Sequence, residues 1–257
     1  MVVFLDDLKN RFDFFLRNHL TFSRKNYNEK ADNLNSLIHE DNKHYFINLQ
    51  KSYDLEFLKP SAKRIFLENL YFLNLFNEYF SKSIKQNAYI LDIGSKNWSY
   101  VKSEHLFFKS FCQNFTLNGI EIDPYRVCSN LYNRFEIAKF YTKGLANTNY
   151  IAGDLIQHQK KYDYIIWILP FITQKPLLKW GLPLKYFKPD KMLLHAYDLL
   201  NENGEMIIVN QGEEEYKIQK DLNSRLNLQA QYFGEIEDNF NLFKNKRYCS
   251  KIIKTTV

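Results

Sequence analysis

The chain has 257 residues, 45% hydrophobic, 17% aromatic and 25% charged, with a formal net charge of +6. That length supports one large domain or a domain with a cap, and the composition excludes disordered, collagen-like and miniprotein classes. Residues 241–257 carry five basic and no acidic side chains, so nearly all the positive excess sits in a C-terminal tail, where it offers a docking surface for a polyanion such as nucleic acid.

At the amino end, Met1 to Leu5 is apolar but Asp6 and Asp7 follow at once, unlike the basic head and long apolar run of a secretory signal. A cytoplasmic location is the expectation. Phe4, Leu8, Phe12, Phe15 and Leu16 recur at spacings of three and four, and Ala62 to Phe80 repeats the stripe more loosely after Pro60 and Ser61, so both segments are expected to be helices. The polar stretch Ser23 to Lys43 reads as a loop or an exposed helix. Residues 1–85 are thus expected to form a helical cap of three or four helices, lying over the carboxyl ends of the strands that follow.

From Asn87 short apolar runs alternate with amphipathic segments, the pattern of a parallel sheet covered by helices. Strands are expected near Ala88–Ile93, Thr116–Ile122, Asn149–Ala152, Tyr164–Leu169, Glu205–Asn210, Gln231–Ile236 and Arg247–Ile253, with helices around Trp98–Cys112, Tyr125–Thr142, Pro189–Leu200 and Glu213–Asn227. The last two strands leave no room for a helix between them and should form an antiparallel hairpin. The expected fold is therefore α/β: a Rossmann-like, seven-stranded, mostly parallel sheet over residues 86–257, closed by that hairpin. Tyr164 to Gln174, the longest charge-free stretch in the middle of the chain, is far shorter than the roughly 20 apolar residues of a membrane span. Cys112, Cys128 and Cys249 are odd in number and widely spaced, which fits neither a disulfide framework nor a zinc cluster, and no metal-ligand spacing appears.

Chemistry concentrates at the strand ends. The first strand reads Ala88-Tyr-Ile-Leu-Asp92-Ile-Gly94-Ser95, an acid and then a glycine where ligands bind in open α/β sheets. The second ends in Gly119-Ile-Glu121-Ile-Asp123-Pro124, and a carboxylate there can accept hydrogen bonds from ribose hydroxyls. Asp154 follows the third strand, and Tyr162-Asp163-Tyr-Ile-Ile-Trp167-Ile-Leu-Pro170 forms the fourth. Taken singly, Asp92 and Asp154 read equally well as cap or turn residues. Asp123 is expected to cap a helix beginning at Pro124.

In this order the four motifs resemble those of the class I S-adenosylmethionine-dependent methyltransferases, over about residues 86–257. The resemblance implies S-adenosylmethionine as cofactor, held by Asp92, Gly94 and Ser95 at the first strand, by Glu121 at the ribose and by Asp154 at the adenine. It also implies a last strand inserted antiparallel to the rest. The chain departs from the family in its loop, where Gly94 is followed by Ser95-Lys96-Asn97-Trp98 instead of further glycines. The intervals from Asp92 to Glu121 and on to Asp154 are also long, which longer covering helices would explain. A nicotinamide-dependent oxidoreductase needs glycines at positions one, three and six of that loop, and only the first is present.

The acceptor is expected to be a small molecule, in a pocket drawn from Trp98, Phe171, Trp180, Asn210 and Gln211. The proline-punctuated insertion 171–184 either walls that pocket or packs as ordinary core, and Asn210 and Gln211 end the fifth strand. Glu213, Glu214 and Glu215 are expected to begin a helix, where their charge suits the dipole. Two other readings stay open: an RNA or protein methyltransferase that docks through the basic tail, and a non-catalytic binding protein of the same fold.

Overall fold

The computed structural model describes residues 2–21, 24, 27–32, 34, 43–80 and 83–255, so the expectation for Ser23 to Lys43 falls largely outside the described residues. The helices are α1 (Val2–His19), α2 (Lys43–Ser52), α3 (Lys63–Tyr79), α4 (Val101–Phe111), α5 (Arg134–Thr142), α6 (Gln174–Lys179), α7 (Pro189–Leu199) and α8 (Gly212–Arg225). The strands are β1 (Asn87–Ile93), β2 (Asn114–Glu121), β3 (Thr148–Ala152), β4 (Tyr162–Ile168), β5 (Leu200–Gln211), β6 (Ala230–Ile236) and β7 (Arg247–Ile253).

All seven strands form one sheet in the order β3-β2-β1-β4-β5-β7-β6. β1 pairs in parallel with both β2 and β4, and β7 runs antiparallel to β5 and β6. Successive strands step outward from β1 on one side and from β4 on the other, so a crevice opens at the carboxyl ends of these two, where the order reverses. Alternation along buried strands divides the core. Ile90, Leu117, Tyr164, Ile166, Ile207 and Val209 pack beneath α3, α4 and α5. Leu91, Ile93, Ile165, Trp167, Met206 and Ile208 pack beneath α7 and α8. Such double-sided burial is why these strands read as continuous apolar runs.

Two expectations are corrected here. The first is the separate cap. Phe66, Leu70, Leu73 and Phe76 of α3 belong to the same core as β1, β4 and β5, with Phe76 tilted against Phe107 and Phe80 edge-on to Tyr164. Asn69 fastens α3 further, donating to Ser99 O at 2.9 Å and accepting from Ser103 N–H at 2.8 Å. A boundary at residue 85 would cut through this core, and α1 packs on the 171–184 insertion. The second is the long interval between Glu121 and Asp154. It holds no long helix: α5 begins only at Arg134, where Asn133 and Glu136 form a capping box, and residues 124–133 are irregular with a single bridge between Val127 and Asn133.

Candidate functional site

After Asp92 the chain turns sharply at Gly94 (φ +72°), and the N–H groups of Gly94 and Ser95 both donate to Ile120 O. Lys96 and Trp98 also adopt left-handed φ, so the loop without further glycines closes at a strain cost of roughly 1–2 kcal/mol per residue. What holds it is the Trp98 indole. Fully buried against Gly119, Trp98 donates from Nε1 to Glu104 at 2.8 Å and is a core residue, not the pocket wall expected from sequence. Ser95 is also fully buried, beside Gly119, and does not face the cavity described below. A Cβ placed at Gly119 would come within 2.9 Å of both Ser95 Oγ and Trp98 ring atoms. Gly119→Ala is therefore expected to destabilise the fold by roughly 1–3 kcal/mol, read from the midpoint of denaturant unfolding, because a rigid buried ring must shift.

Asp92 points away from the cavity as well. Tyr100 Oη donates to its Oδ2 at 2.8 Å, while Oδ1 has no donor among the described residues. Glu104 mirrors it: Trp98 holds Oε2, and Oε1 lacks a donor. Both residues are wholly buried. Burial pushes the Asp92 carboxyl up to about 7 against the hydrogen bonds from Tyr100 and Glu104, and burial together with the Asp92 charge pushes Glu104 well up. The two carboxyls thus form a buried pair beneath the loop, both with raised proton affinity and each with one oxygen that has no partner among the described residues.

The crevice contains a cavity of about 290 Å³. Gly94 and Lys96 line it from β1, Glu121 from β2, Gly153 and Asp154 from β3, and Trp167 to Phe171 from β4; Leu177, Trp180 and Leu182 close it from the insertion. The structure thus brings Gly94, Glu121, Asp154, Phe171 and Trp180 together on one space and leaves Asp92, Ser95, Trp98, Asn210 and Gln211 off it. Glu121, nearly fully buried, accepts from Lys96 N–H at 2.9 Å, Asp123 N–H at 2.8 Å and Arg134 Nη1 at 3.2 Å. A carboxylate offers about four acceptor positions, so one remains open. Asp154 caps the turn Leu155–Gln157 through Ile156 N–H and borders the cavity in the same place.

Asp123 caps no helix. It is completely buried and accepts two bonds from Arg17 of α1, at 2.6 and 2.9 Å, with Arg126 and Arg134 close by. Arg134 lies 4.6 Å from the Trp180 ring centre and Lys96 5.0 Å, so Trp180 is a cation–π platform joining the insertion to the β1 and β2 loops. Burial lowers the Lys96 pKa. Arg17, Arg134 and Lys96 went unmarked by sequence reasoning, since a lone basic residue far along the chain from its acid carries no local signal.

Asn210 is fully buried with neither side-chain atom partnered among the described residues, and Gln211 accepts from Arg247 Nη1 at 2.9 Å. Neither lines the cavity at the ends of β1 and β4, because β5 ends one strand beyond it. Arg247 reaches instead a smaller cavity of about 130 Å³, bounded by Glu68, Tyr71 and Tyr100, which shares Lys96, Ile168 and Leu169 with the first. The supposed basic tail is largely β7, inside the sheet: Lys251 pairs with Glu205, Lys246 with Glu235, and Lys254 donates to the carbonyls of Tyr197 and Leu200. Among the described residues no cluster of three or more His, Cys, Asp or Glu side chains is placed to hold a metal, and no helix is long and apolar enough to cross a membrane.

No family model and no curated protein matches this chain. Solved structures similar to it include a methyltransferase from Pyrococcus furiosus, 17% identical with a TM-score of 0.49, covering 71% of this chain and 81% of its own. Another is a putative S-adenosyl-L-methionine-dependent methyltransferase from Methanococcus maripaludis, 11% identical with a TM-score of 0.49, covering 90% of this chain and 99% of its own. The N-methyltransferase NodS from Bradyrhizobium japonicum, solved with S-adenosyl-L-homocysteine, is 10% identical with a TM-score of 0.43, covering 66% and 79%. These likenesses are distant; what decides the fold is the strand order itself, with β7 inserted antiparallel between β5 and β6. The fold is α/β and Rossmann-like, with the antiparallel last strand that the resemblance in the sequence implies. Within it, Gly94, Glu121 and Asp154 stand at the ends of the first three strands, around one cavity. The carboxylates suit vicinal hydroxyls and an amino group, and Ile122, Leu155 and Ile156 supply apolar walls. A Cβ built on Gly94 meets nothing within 4 Å, so the space above the turn is open. The residues present fit an adenosyl group.

Proposed function

We propose that this protein is an S-adenosylmethionine-dependent methyltransferase acting on a small-molecule acceptor. The observation that carries the reading is the convergence of Gly94, Glu121 and Asp154 on a single cavity at the carboxyl ends of β1, β2 and β3. When bound, the cofactor supplies a methyl group on a sulfonium, and its transfer needs alignment and a dry site more than an acid or base. Glu121 would accept from the ribose hydroxyls and Asp154 from the adenine amino group. Gly94 would let the backbone approach, and Leu177, Trp180 and Leu182 would exclude water. The smaller cavity adjoins this one at Lys96, Ile168 and Leu169 and sets the charges of Glu68 and Arg247 beside its aromatic walls, a place for the amino and carboxylate groups of the methionyl end.

One observation favours the non-catalytic alternative. Three of the four acceptor positions of Glu121 are already taken within the protein, one of them by the N–H of Lys96 in the glycine-poor loop. Calorimetric titration with S-adenosylmethionine and with nicotinamide dinucleotide in parallel separates the readings. Binding of the first with a dissociation constant in the micromolar range, about −8 kcal/mol, and none of the second is the expected result. Heat from neither ligand would leave the fold without this function.

A further inference from the structure

Helix α1 is docked with its polar side inward. Asp7 accepts from Leu184 N–H, Asn10 donates to Leu178 O and Leu182 O, and Arg17 binds Asp123 and Gly181 O, while Phe14 tilts against Tyr186. Those positions share one helical face. The other face carries Phe4, Leu5, Leu8, Phe12 and Phe15, each 55% to 68% exposed. A helix on a globular protein ordinarily buries its apolar stripe and turns its polar side to water. Here the reverse is locked in, because rotating α1 would take Arg17 away from the fully buried Asp123.

Size and charge indicate what covers the stripe. A phenylalanine offers roughly 150–250 Å², so three of them with two leucines, exposed to this degree, present on the order of 600 Å². That is the upper end of what a monomer leaves uncovered. Two such stripes covering each other would bury about 1,200 Å² before rim residues are added, which is where specific protein–protein interfaces begin. The charges on α1 around the stripe balance, Asp6 and Asp13 against Lys9 and Arg11, with Arg11 also paired to Asp7 at 2.7 Å. They give no net positive field to draw the helix to anionic lipid headgroups. The stripe also matches itself: in an antiparallel pair Phe4 lies beside Phe15 and Leu8 beside Phe12, the requirement for a contact with two-fold symmetry.

We infer that a second copy of this chain covers the stripe, giving a two-fold dimer through antiparallel pairing of the two α1 helices. The same helix holds Asp123 and the insertion, so the dimer contact would also brace the cavity wall.

Sedimentation velocity on the full chain, from about 1 to about 100 µM, tests this against a variant carrying Leu8→Asp and Phe12→Asp, neither of which borders either cavity. The expected result is a wild-type dimer at the upper concentrations and at least tenfold weaker self-association in the variant, with its thermal midpoint and far-ultraviolet spectrum retained. Phe12→Gln, read the same way, serves if the double aspartate variant does not fold. A wild-type monomer throughout the range overturns the inference, as does a dimer that survives both variants. Flotation of the wild-type chain with phosphatidylcholine–phosphatidylglycerol vesicles while it stays monomeric in solution would overturn it too, naming a membrane as the occupant.

Discussion

Replacing Glu121 by alanine is expected to weaken S-adenosylmethionine binding at least tenfold and to lower folding stability by roughly 3–5 kcal/mol. The binding loss follows from a charge-assisted hydrogen bond to a ribose hydroxyl, worth about 1.5–3 kcal/mol. The stability loss has another origin. Glu121 ties down Lys96 N–H and Asp123 N–H and is the 3.2 Å partner of Arg134, whose side chain is only 5% exposed. Alanine leaves that guanidinium buried with Asp123 as its nearest acid, at 3.9 Å. Glu121→Gln separates the two effects, since the amide keeps the shape and one acceptor oxygen but surrenders the charge. Titration calorimetry and denaturant unfolding read them independently. An unchanged dissociation constant in a folded Glu121→Ala protein would remove this residue from the binding site, however large the stability loss.

Raising the pH from about 5 to about 8 is expected to destabilise the protein through Asp92, by on the order of 2–3 kcal/mol. In the unfolded chain both Asp92 and Glu104 ionise near the ordinary carboxylate value of about 4. In the fold, burial lifts Asp92 to about 7 and Glu104 well up, with Tyr100 and Trp98 donating to the pair and Glu121 and Lys96 acting on Asp92 in opposite directions. Between those values the folded state holds a proton that the unfolded state has released. The stabilisation is therefore complete below about 4 and is lost as the pH climbs through about 7. For a domain of this size that is a fall of several degrees in the thermal midpoint. Asp163 behaves in the opposite sense: burial pushes it up, but donation by Lys85, Tyr89 N–H and Asn201 brings it below the usual range, so its contribution is lost only in acid. Thermal unfolding of the wild type and of Asp92→Asn across the window isolates the pair, since asparagine cannot titrate. Equal slopes for the two proteins would show that Asp92 retains no proton in the fold.

The sequence by itself determined the strands, the parallel core and the strand ends that border the cavity. Continuous apolar runs such as Tyr164 to Ile168 and Met206 to Val209 announce strands buried on both faces, because burial demands apolar side chains wherever they point. The acids and glycines at strand ends were legible for the same local reason: Gly94 sits at a turn needing positive φ, and Glu121 and Asp154 follow their strands directly. The antiparallel close followed from a gap too short for a crossover helix.

Only the tertiary structure decided what these residues touch. Trp98 reads as a pocket aromatic until Gly119, on the neighbouring strand, opens the space that buries it. Asp92 reads as a ligand-facing acid until Glu104 and Tyr100 appear beside it from the next helix and its approach. Asp123 reads as a helix cap until Arg17 arrives from 106 residues away. Likewise α3 is a plausible cap in sequence and a layer of the core in space, since an amphipathic stripe states that a helix must be covered but not by what. Periodicity and turn chemistry act over a few residues and survive in one dimension. The partner of a buried charge or ring is fixed by the packing of distant segments, where desolvation makes each unpaired group costly enough to select one arrangement.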